Sequence, residues 1–162
     1  MTGPGDAIEL LRKAGATVAT AESLTGGLVA ATLISVPGAS DVVRGGIVAY
    51  APDVKTGVLG VPEEIVAVRG TVDERTARSM AERARIVCDA TYGIATTGVA
   101  GPDSSEGRPA GTVHIAVAGP SGTSHRLLSL VGDRQEIRTA AVDAALQLLV
   151  ARLREESDAH GR

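Results

Sequence analysis

The spacing of apolar and polar positions changes several times along this chain and divides it into helices and strands. From Asp73 to Cys88 apolar residues recur every three or four positions, which is typical of one buried helix face. From Thr112 to Ala118 they alternate with other residues, as in a strand with one buried face. The same criteria predict helices at 6–14, from 24 or 25 to 35, 73–88 and 134–154, a short one from Pro52, another that could begin at Pro62, and strands at 17–22, 42–50, 91–97, 112–118 and 124–131.

This order of elements predicts the α/β fold class. The turn Gly119-Pro-Ser-Gly122 joins the last two strands into an antiparallel hairpin, and helices separate the earlier strands. We therefore expect a single three-layer domain, with a mixed sheet and helices on both of its faces. A chain of 162 residues has the size of one domain with one substantial core. We place the domain at residues 1–154 and expect residues 155–162 to be a frayed C-terminal tail.

The composition of the chain argues against several classes of binding partner and site. The net charge is −3, no basic block is present, and with two Tyr, no Phe and no Trp little can stack on bases, so nucleic acid is not expected as the main partner. No apolar run approaches the ~20 residues of a membrane-spanning helix, and the first residues lack a secretory pattern, so we expect a soluble, cytoplasmic protein without a membrane partner. One cysteine excludes an internal disulfide, and the three histidines lack the context of a zinc site or a Ser-His-Asp triad.

Lysine is rare in this sequence. Fourteen of the sixteen basic residues are Arg, and only Lys13 and Lys55 are Lys. A desolvated lysine can lose its proton and act as a base, whereas the arginine guanidinium stays protonated. Lys13 fits an exposed helix face, so Lys55 is the candidate base. Retention of two lysines by chance explains the count equally well.

The stretch from Ala19 to Leu28 is the strongest candidate for a site. It runs from apolar residues through Glu22 and two hydroxyl residues to a glycine pair, which predicts a strand, a tight turn and the start of a helix. Ser23 would then face a substrate, and the backbone N–H groups of Thr25, Gly26 and Gly27 could bind an oxyanion. The alternative is that Ser23 or Thr25 only caps the helix.

Three more polar residues could join Ser23 at one end of the sheet. Ser40 lies in a Pro-Gly loop, Tyr50 ends a strand in which Gly46 could let the backbone approach a ligand, and Lys55 follows five residues later. A lysine of lowered pKa can deprotonate a serine, and a tyrosine between them could relay the proton or hold the lysine. This constellation predicts acyl transfer from an amide or an ester.

Two elements suit a phosphate group. Thr97 and Gly98 end a strand in a glycine-rich turn with backbone donors, and Arg134 and Arg138 lie one turn apart on one helix. The alternatives are that Thr97 only satisfies a turn and that Arg138 only pairs with an acidic neighbour on its helix.

Six motifs follow one another along the chain. They are Glu22-Ser-Leu-Thr-Gly-Gly27, Gly45-Gly-Ile-Val-Ala-Tyr50 with Lys55, Leu59-Gly-Val61, Thr97-Gly-Val-Ala-Gly-Pro-Asp103, Arg108-Pro-Ala-Gly-Thr-Val113 and Gly132-Asp-Arg134. Together and in this order they resemble the CinA C-terminal domain family, also described as nicotinamide-nucleotide amidases. The resemblance extends from about residue 6 to residue 153.

The resemblance implies an α/β domain that hydrolyses nicotinamide mononucleotide to nicotinate mononucleotide and ammonia without a metal or another cofactor. It implies Ser23 as nucleophile, Lys55 as its base and Tyr50 in support. Ser40, Thr97 and Arg138 would lie in the substrate pocket, with Arg134 as the alternative to Arg138. It also implies a homo-oligomer, a dimer or higher. Longer members carry a further N-terminal domain that resembles molybdopterin-binding proteins, and only the amidase half is implied here.

The sequence departs from the family pattern mainly beside the expected pocket. The family often has Gly where Ser104 or Ser105 stands and Lys where Arg108 stands. It also often has Cys in place of Leu24 and Ser in place of Asp73. These departures bear on substrate preference more than on reaction type. The competing hypothesis is a binding module in which the same pocket holds a nucleotide without chemistry, as a regulatory, competence- or damage-related interaction domain.

Overall fold

The computed structural model describes residues 2–161. Its helices are α1 (Pro4–Ala14), α2 (Leu28–Ile34), α3 (Pro52–Gly57), α4 (Glu63–Arg69), α5 (Glu74–Cys88) and α6 (Arg134–His160), and a 3₁₀ turn covers Ala39–Asp41. Its strands are β1 (Val18–Glu22), β2 (Val43–Val48), β3 (Tyr92–Gly98), β4 (Thr112–Gly119) and β5 (Gly122–Ser129). The expected α/β class is confirmed.

The five strands form one mixed sheet in the order β2-β1-β3-β4-β5. β1 lies between β2 and β3 and is parallel to both, whereas β4 is antiparallel to β3 and forms the expected hairpin with β5. Helices cover both faces, with α1, α2 and α6 on one and α5 on the other. The carboxyl ends of β1 and β3 therefore meet at one edge of the sheet.

The two faces of the sheet carry different core residues. Branched side chains such as Val18, Ile94 and Ile115 pack against α1, α2 and α6. The opposite face presents mainly alanines to α5, which therefore packs very close to the strands. A Cβ atom at Gly93 would collide with the Ala81 carbonyl oxygen of α5. This small-residue interface explains how a core can form without Phe or Trp.

Three helix boundaries differ from the prediction by two residues or more. α1 begins at Pro4 and not at residue 6. α2 begins at Leu28, because Gly26 and Gly27 have φ angles of 59° and 100°, which a helix does not accept. α6 continues six residues past its expected end at Arg154, so the expectation of a separate tail is wrong for residues 155–160. The reason is Glu156, which accepts hydrogen bonds from Arg152 and, across the fold, from the Tyr92 hydroxyl. Arg162 lies outside the described residues.

None of the helices within residues 2–161 is both long enough and apolar enough to span a membrane.

Candidate active site

The candidate site is a cavity of about 420 Å³ at the edge where β1 and β3 end. Ser23 directly follows β1, and Gly98 is the last residue of β3. The register pairs Glu22 with Thr96, which brings these two ends side by side. The residues that line the cavity come from both strand ends, from α3, from the α4–α5 connection, from the loop after β3 and from the start of α6: Ser23, Leu24, Tyr50, Lys55, Thr71, Val72, Thr97, Gly98, Val99, Ala100, Gly101, Pro102, Asp103, Ser105 and Arg134.

Ser23 and Lys55 are in direct contact at the base of this cavity. Lys55 Nζ lies 3.0 Å from Ser23 Oγ, and the two residues are only 1% and 8% exposed, respectively. Nζ also donates to the carbonyl oxygens of Ala49 at 2.7 Å and Tyr50 at 3.0 Å. The chain turns from β2 into α3 between these carbonyls and Lys55, and this turn lets the lysine fold back on its own loop.

The protonation state of Lys55 follows from its surroundings. Burial lowers the pKa of Lys55 from 10.5 to about 8, against the smaller and opposite effect of the Glu106 carboxylate. A neutral amine has two N–H groups and one lone pair. When the two carbonyls accept the N–H groups, the lone pair is left for the Ser23 hydroxyl proton. The arrangement can therefore activate Ser23 as a nucleophile.

The cap of α2 is Glu22, and neither of the two expected alternatives, Ser23 or Thr25, has that role. The carboxylate of Glu22 is 1% exposed and accepts from the N–H groups of Val29 at 2.8 Å and Ala30 at 3.1 Å. Negative charge is stabilised at a helix N-terminus, which accounts for this buried carboxylate. Since side chains alternate along a strand, Ser23 points to the other face of the sheet and its hydroxyl is left for Lys55.

The turn after Ser23 contains candidate donors for an oxyanion: Leu24 joins two of the three expected residues, and the third, Gly26, is engaged within the turn. The Gly26 N–H donates to the Ser23 carbonyl oxygen at 3.0 Å. Within residues 2–161, the N–H groups of Leu24, Thr25 and Gly27 donate to no protein acceptor, and of these three residues Leu24 lines the cavity. Leu24 immediately follows the candidate nucleophile, a position that supplies an oxyanion donor in α/β-hydrolases. Gly26 and Gly27 serve the turn through their left-handed backbone.

Tyr50 lies at the cavity but not between Ser23 and Lys55. Its side chain is 60% exposed, and its hydroxyl accepts a hydrogen bond from Arg134 Nη2 at 3.1 Å. Tyr50 holds Lys55 only through its backbone carbonyl. The expected proton relay through the phenol is therefore wrong in this geometry, because the hydroxyl faces the opposite wall.

Arg134, and not Arg138, lines the cavity. Arg134 Nη1 donates to the Gly101 carbonyl oxygen at 2.5 Å, and its other terminal nitrogen reaches Tyr50. Arg138 donates to the carbonyl oxygens of Leu24 at 2.8 Å and Thr25 at 3.4 Å. Arg138 thus supports the turn from behind, and the alternative, Arg134, is the arginine available to an anionic ligand.

Ser40 and Gly46 do not reach the cavity. Ser40 precedes β2 whereas Ser23 follows β1, and since the strands are parallel the two serines lie at opposite edges of the sheet. A Cβ atom at Gly46 would lie 2.5 Å from Thr20 Oγ1 and 3.2 Å from Ala30 Cβ. Gly46 therefore allows α2 to pack on β2. The expected contact of Ser40 and Gly46 with a ligand in the cavity is thus not found within a single chain.

The remaining predicted residues lie in or below the cavity. Thr25 is fully buried and donates to Glu22 Oε1 at 2.6 Å, so its side chain is structural and does not meet a ligand. Thr97 lines the cavity, and its hydroxyl donates to the Thr71 carbonyl oxygen at 2.6 Å. Gly98 also lines it, and a Cβ there would lie 2.5 Å from the Thr112 carbonyl oxygen. Glycine at that position lets β3 and β4 pair at the edge of the site.

The sequence reasoning missed the wall made by the α4–α5 connection. Thr71 and Val72 line the cavity and are held by the carboxylate of Glu106. Among the lining residues, Asp103 supplies a carboxylate. The only sequence signal was the departure at residues 104–106, which indicated an altered loop but not its partners. In the described part of the chain, no cluster of three or more His, Cys, Asp and Glu side chains could hold a metal ion.

Comparisons with known proteins place this chain among CinA proteins. A model of the family described as "CinA C-terminal domain" matches residues 4–153. A CinA-like protein from Frankia casuarinae is 54% identical over 145 residues, which are 90% of this chain and 34% of that protein. A CinA-like protein from Anaeromyxobacter dehalogenans is 47% identical over 152 residues, 93% of this chain and 37% of that protein. The chain thus spans about a third of the length of the curated relatives it matches.

Solved structures agree with this fold over more than nine-tenths of the chain. A competence-damaged protein (CinA) superfamily protein from Klebsiella pneumoniae has a TM-score of 0.91 at 30% identity, covering 94% of this chain and 96% of that one. The competence/damage inducible protein CihA from Agrobacterium tumefaciens has a TM-score of 0.82 at 39% identity, covering 93% and 98%. These names refer to competence and damage and do not state a reaction.

Proposed function

This chain belongs to the CinA C-terminal domain family, and from that membership and its Ser23–Lys55 pair we propose that it is an amidohydrolase that converts nicotinamide mononucleotide to nicotinate mononucleotide and ammonia. The family resemblance found in the sequence is thereby confirmed, whereas the reaction is our proposal. One observation carries it: a buried lysine of lowered pKa donates to two carbonyls and lies 3.0 Å from a serine hydroxyl.

The chemistry proceeds by proton exchange between the two side chains. Neutral Lys55 takes the Ser23 proton while Oγ attacks the carboxamide carbon, and the Leu24 N–H stabilises the oxyanion. The Lys55 ammonium then protonates the departing nitrogen, so ammonia leaves and an ester to Ser23 remains. Lys55, neutral again, deprotonates a water that attacks this ester. The products are nicotinate mononucleotide and regenerated Ser23, and one water is consumed.

The cavity suits a small phosphorylated substrate. Its volume of about 420 Å³ lies within the range of small-molecule sites. Arg134 stands on the wall formed by the start of α6, where its guanidinium could bind a phosphate. Tyr50, which contacts Arg134, is largely exposed next to it. We infer that the carboxamide lies at Ser23 and the phosphate at Arg134.

Ammonia release from nicotinamide mononucleotide tests this proposal. We expect wild-type protein to release ammonia, and Ser23→Ala and Lys55→Arg to lose roughly a thousandfold in kcat/KM, because each removes one member of the proton-exchanging pair. Lys13→Arg makes the same change at the only other lysine, which is exposed, and should retain full activity. Circular dichroism would show that each variant is folded.

Two outcomes would contradict the proposal. Full activity of Lys55→Arg would exclude the lysine as base, because the arginine keeps the charge but has no accessible neutral form. Absence of ammonia release by the wild type, together with saturable binding of the mononucleotide, would leave the binding-module hypothesis.

A further inference from the structure

Glu106 is placed against the cavity wall by a tight turn. Residues 105–108 form a turn closed by two hydrogen bonds between Ser105 and Arg108, of 3.0 and 2.8 Å. Glu106 and Gly107 adopt positive φ angles of 52° and 72°. A non-glycine residue in this conformation is uncommon, so contacts of its side chain must help to hold it.

The Glu106 carboxylate fixes the Thr71–Val72 wall. Oε1 accepts from the Thr71 N–H and from the Thr71 hydroxyl, both at 3.0 Å, and Oε2 accepts from the Val72 N–H at 2.8 Å. The same segment is held from the other side, since Thr97 Oγ1 donates to the Thr71 carbonyl oxygen. A Cβ atom at Gly70 would lie 3.1 Å from Oε1, so glycine there lets the carboxylate approach. The wall is therefore positioned by two side chains, Glu106 from the loop after β3 and Thr97 from β3.

Glu106 is also the acidic group that acts on Lys55. The two side chains affect each other's ionisation: the Glu106 charge raises the pKa of Lys55 against the effect of burial, and the Lys55 charge helps lower that of Glu106. Burial tends to raise the pKa of Glu106, and the hydrogen bonds from Thr71 and Val72 outweigh it.

The other charged groups around the cavity have different contacts. Arg134 donates to Tyr50 and Gly101, and Asp103 lines the cavity but makes no hydrogen bond to Lys55. Glu22 belongs to the opposite face of the sheet, where it binds α2.

We propose that Glu106 is a positioning residue for the Ser23–Lys55 pair, because its carboxylate fixes the Thr71–Val72 wall of the cavity that the pair lines and places a negative charge behind that wall. This inference deepens the proposed amidase function and rests on it for its catalytic meaning. Without this charge, Lys55 would be neutral at lower pH and a weaker base; with it, the lysine exchanges its proton near neutral pH.

Lysine NMR tests the electrostatic part without any substrate. Because the chain has two lysines, protein labelled with carbon-13 at lysine Cε gives two signals, and exposed Lys13 serves as internal reference. We expect Glu106→Gln to lower the titration midpoint of Lys55 by roughly half a pH unit or more, the effect of one nearby charge at a dielectric constant of ~20. Glu64→Gln removes the same charge from exposed α4 and should leave the midpoint unchanged.

Two further readouts separate positioning from general stability. The Val72 amide should exchange with solvent faster in Glu106→Gln, because its acceptor is weakened. The acidic limb of the pH profile of kcat/KM should move to lower pH with the Lys55 midpoint. Glu106→Asp keeps the charge on a shorter side chain. The titration midpoint of Lys55 in this variant should therefore stay closer to the wild-type midpoint than in Glu106→Gln, while KM rises.

An unchanged Lys55 midpoint in folded Glu106→Gln would overturn the inference, as would an equal shift in Glu64→Gln. A shifted midpoint in a protein that releases no ammonia would sustain the Glu106–Lys55 coupling and reject the amidase function. The two proposals can therefore fail separately.

Discussion

Replacing Lys55 by methionine should reduce the pH dependence of the stability of this domain. Lys55 is 1% exposed, and its burial lowers the pKa from 10.5 to about 8. At about 1.36 kcal/mol per pH unit, this lowering of the pKa corresponds to about 3 kcal/mol. This is the free energy by which protonation of Lys55 destabilises the folded state relative to the unfolded chain. Methionine has a similar length and does not titrate.

The sign of the effect follows from proton uptake. Between pH 8 and pH 10.5 the unfolded chain keeps the Lys55 proton that the folded chain has lost, so unfolding takes up a proton. The free energy of unfolding of the wild type must therefore rise with pH in this window relative to Lys55→Met. Between about pH 7 and about pH 9.5 the relative gain amounts to roughly 2 kcal/mol. Loss of the hydrogen bonds to the Ala49 and Tyr50 carbonyls affects the variant at both pH values and largely cancels.

Urea unfolding followed by circular dichroism at the two pH values measures this difference, since the chain has no Trp for fluorescence. Lys13→Met loses a lysine from an exposed helix face and corrects for the change in net charge. If the stability difference between wild type and Lys55→Met is the same at both pH values, Lys55 retains its proton far above neutral pH. The argument that it acts as a base would then be wrong.

Two further predictions concern arginines and the buried carboxylate. Arg134→Gln should raise KM for the mononucleotide ten- to a hundredfold, whereas Arg138→Gln should leave KM nearly unchanged and lower the free energy of unfolding by about 1 kcal/mol, because only Arg138 is engaged with the Leu24 and Thr25 carbonyls. The reverse pattern would assign the phosphate to Arg138. Glu22→Gln should lower the free energy of unfolding by about 2 kcal/mol, since it removes the charge that caps α2, and a melting temperature equal to that of the Glu64→Gln control would reject this role.

Long elements with a regular pattern were predictable from the sequence. The helix predicted at 73–88 is α5 (Glu74–Cys88), with Asp73 as its cap, because the apolar spacing repeats over four turns. The predicted start of α2 was too early. The residues after Ser23 have the apolar spacing of a helix, but Gly26 and Gly27 adopt a left-handed backbone that a helix does not accept. The predicted end of α6 was too early, because the last turns of the helix include Glu156, which is held by the sequence-distant Tyr92.

The candidate site also combines residues that could be predicted from the sequence with contacts that depend on the fold. Ser23 and Lys55 could be selected from the sequence because a turn motif and a rare residue type identify them locally. Their 3.0 Å contact, the cap supplied by Glu22 and the wall held by Glu106 depend on residues that only the fold brings together. Ser40 was misplaced because its edge of the sheet depends on the direction of β2 relative to β1.

The sequence by itself determined the order of helices and strands, the family and the two residues at the centre of the proposed chemistry. These properties are encoded in periodicity and short motifs, which involve neighbouring residues. The tertiary structure decided that Arg134 rather than Arg138 faces the cavity and that Tyr50 acts on Lys55 through its carbonyl. It also decided that burial lowers the pKa of Lys55. Such properties depend on strand order, on strand direction and on which groups lose water, and consecutive residues do not specify any of the three.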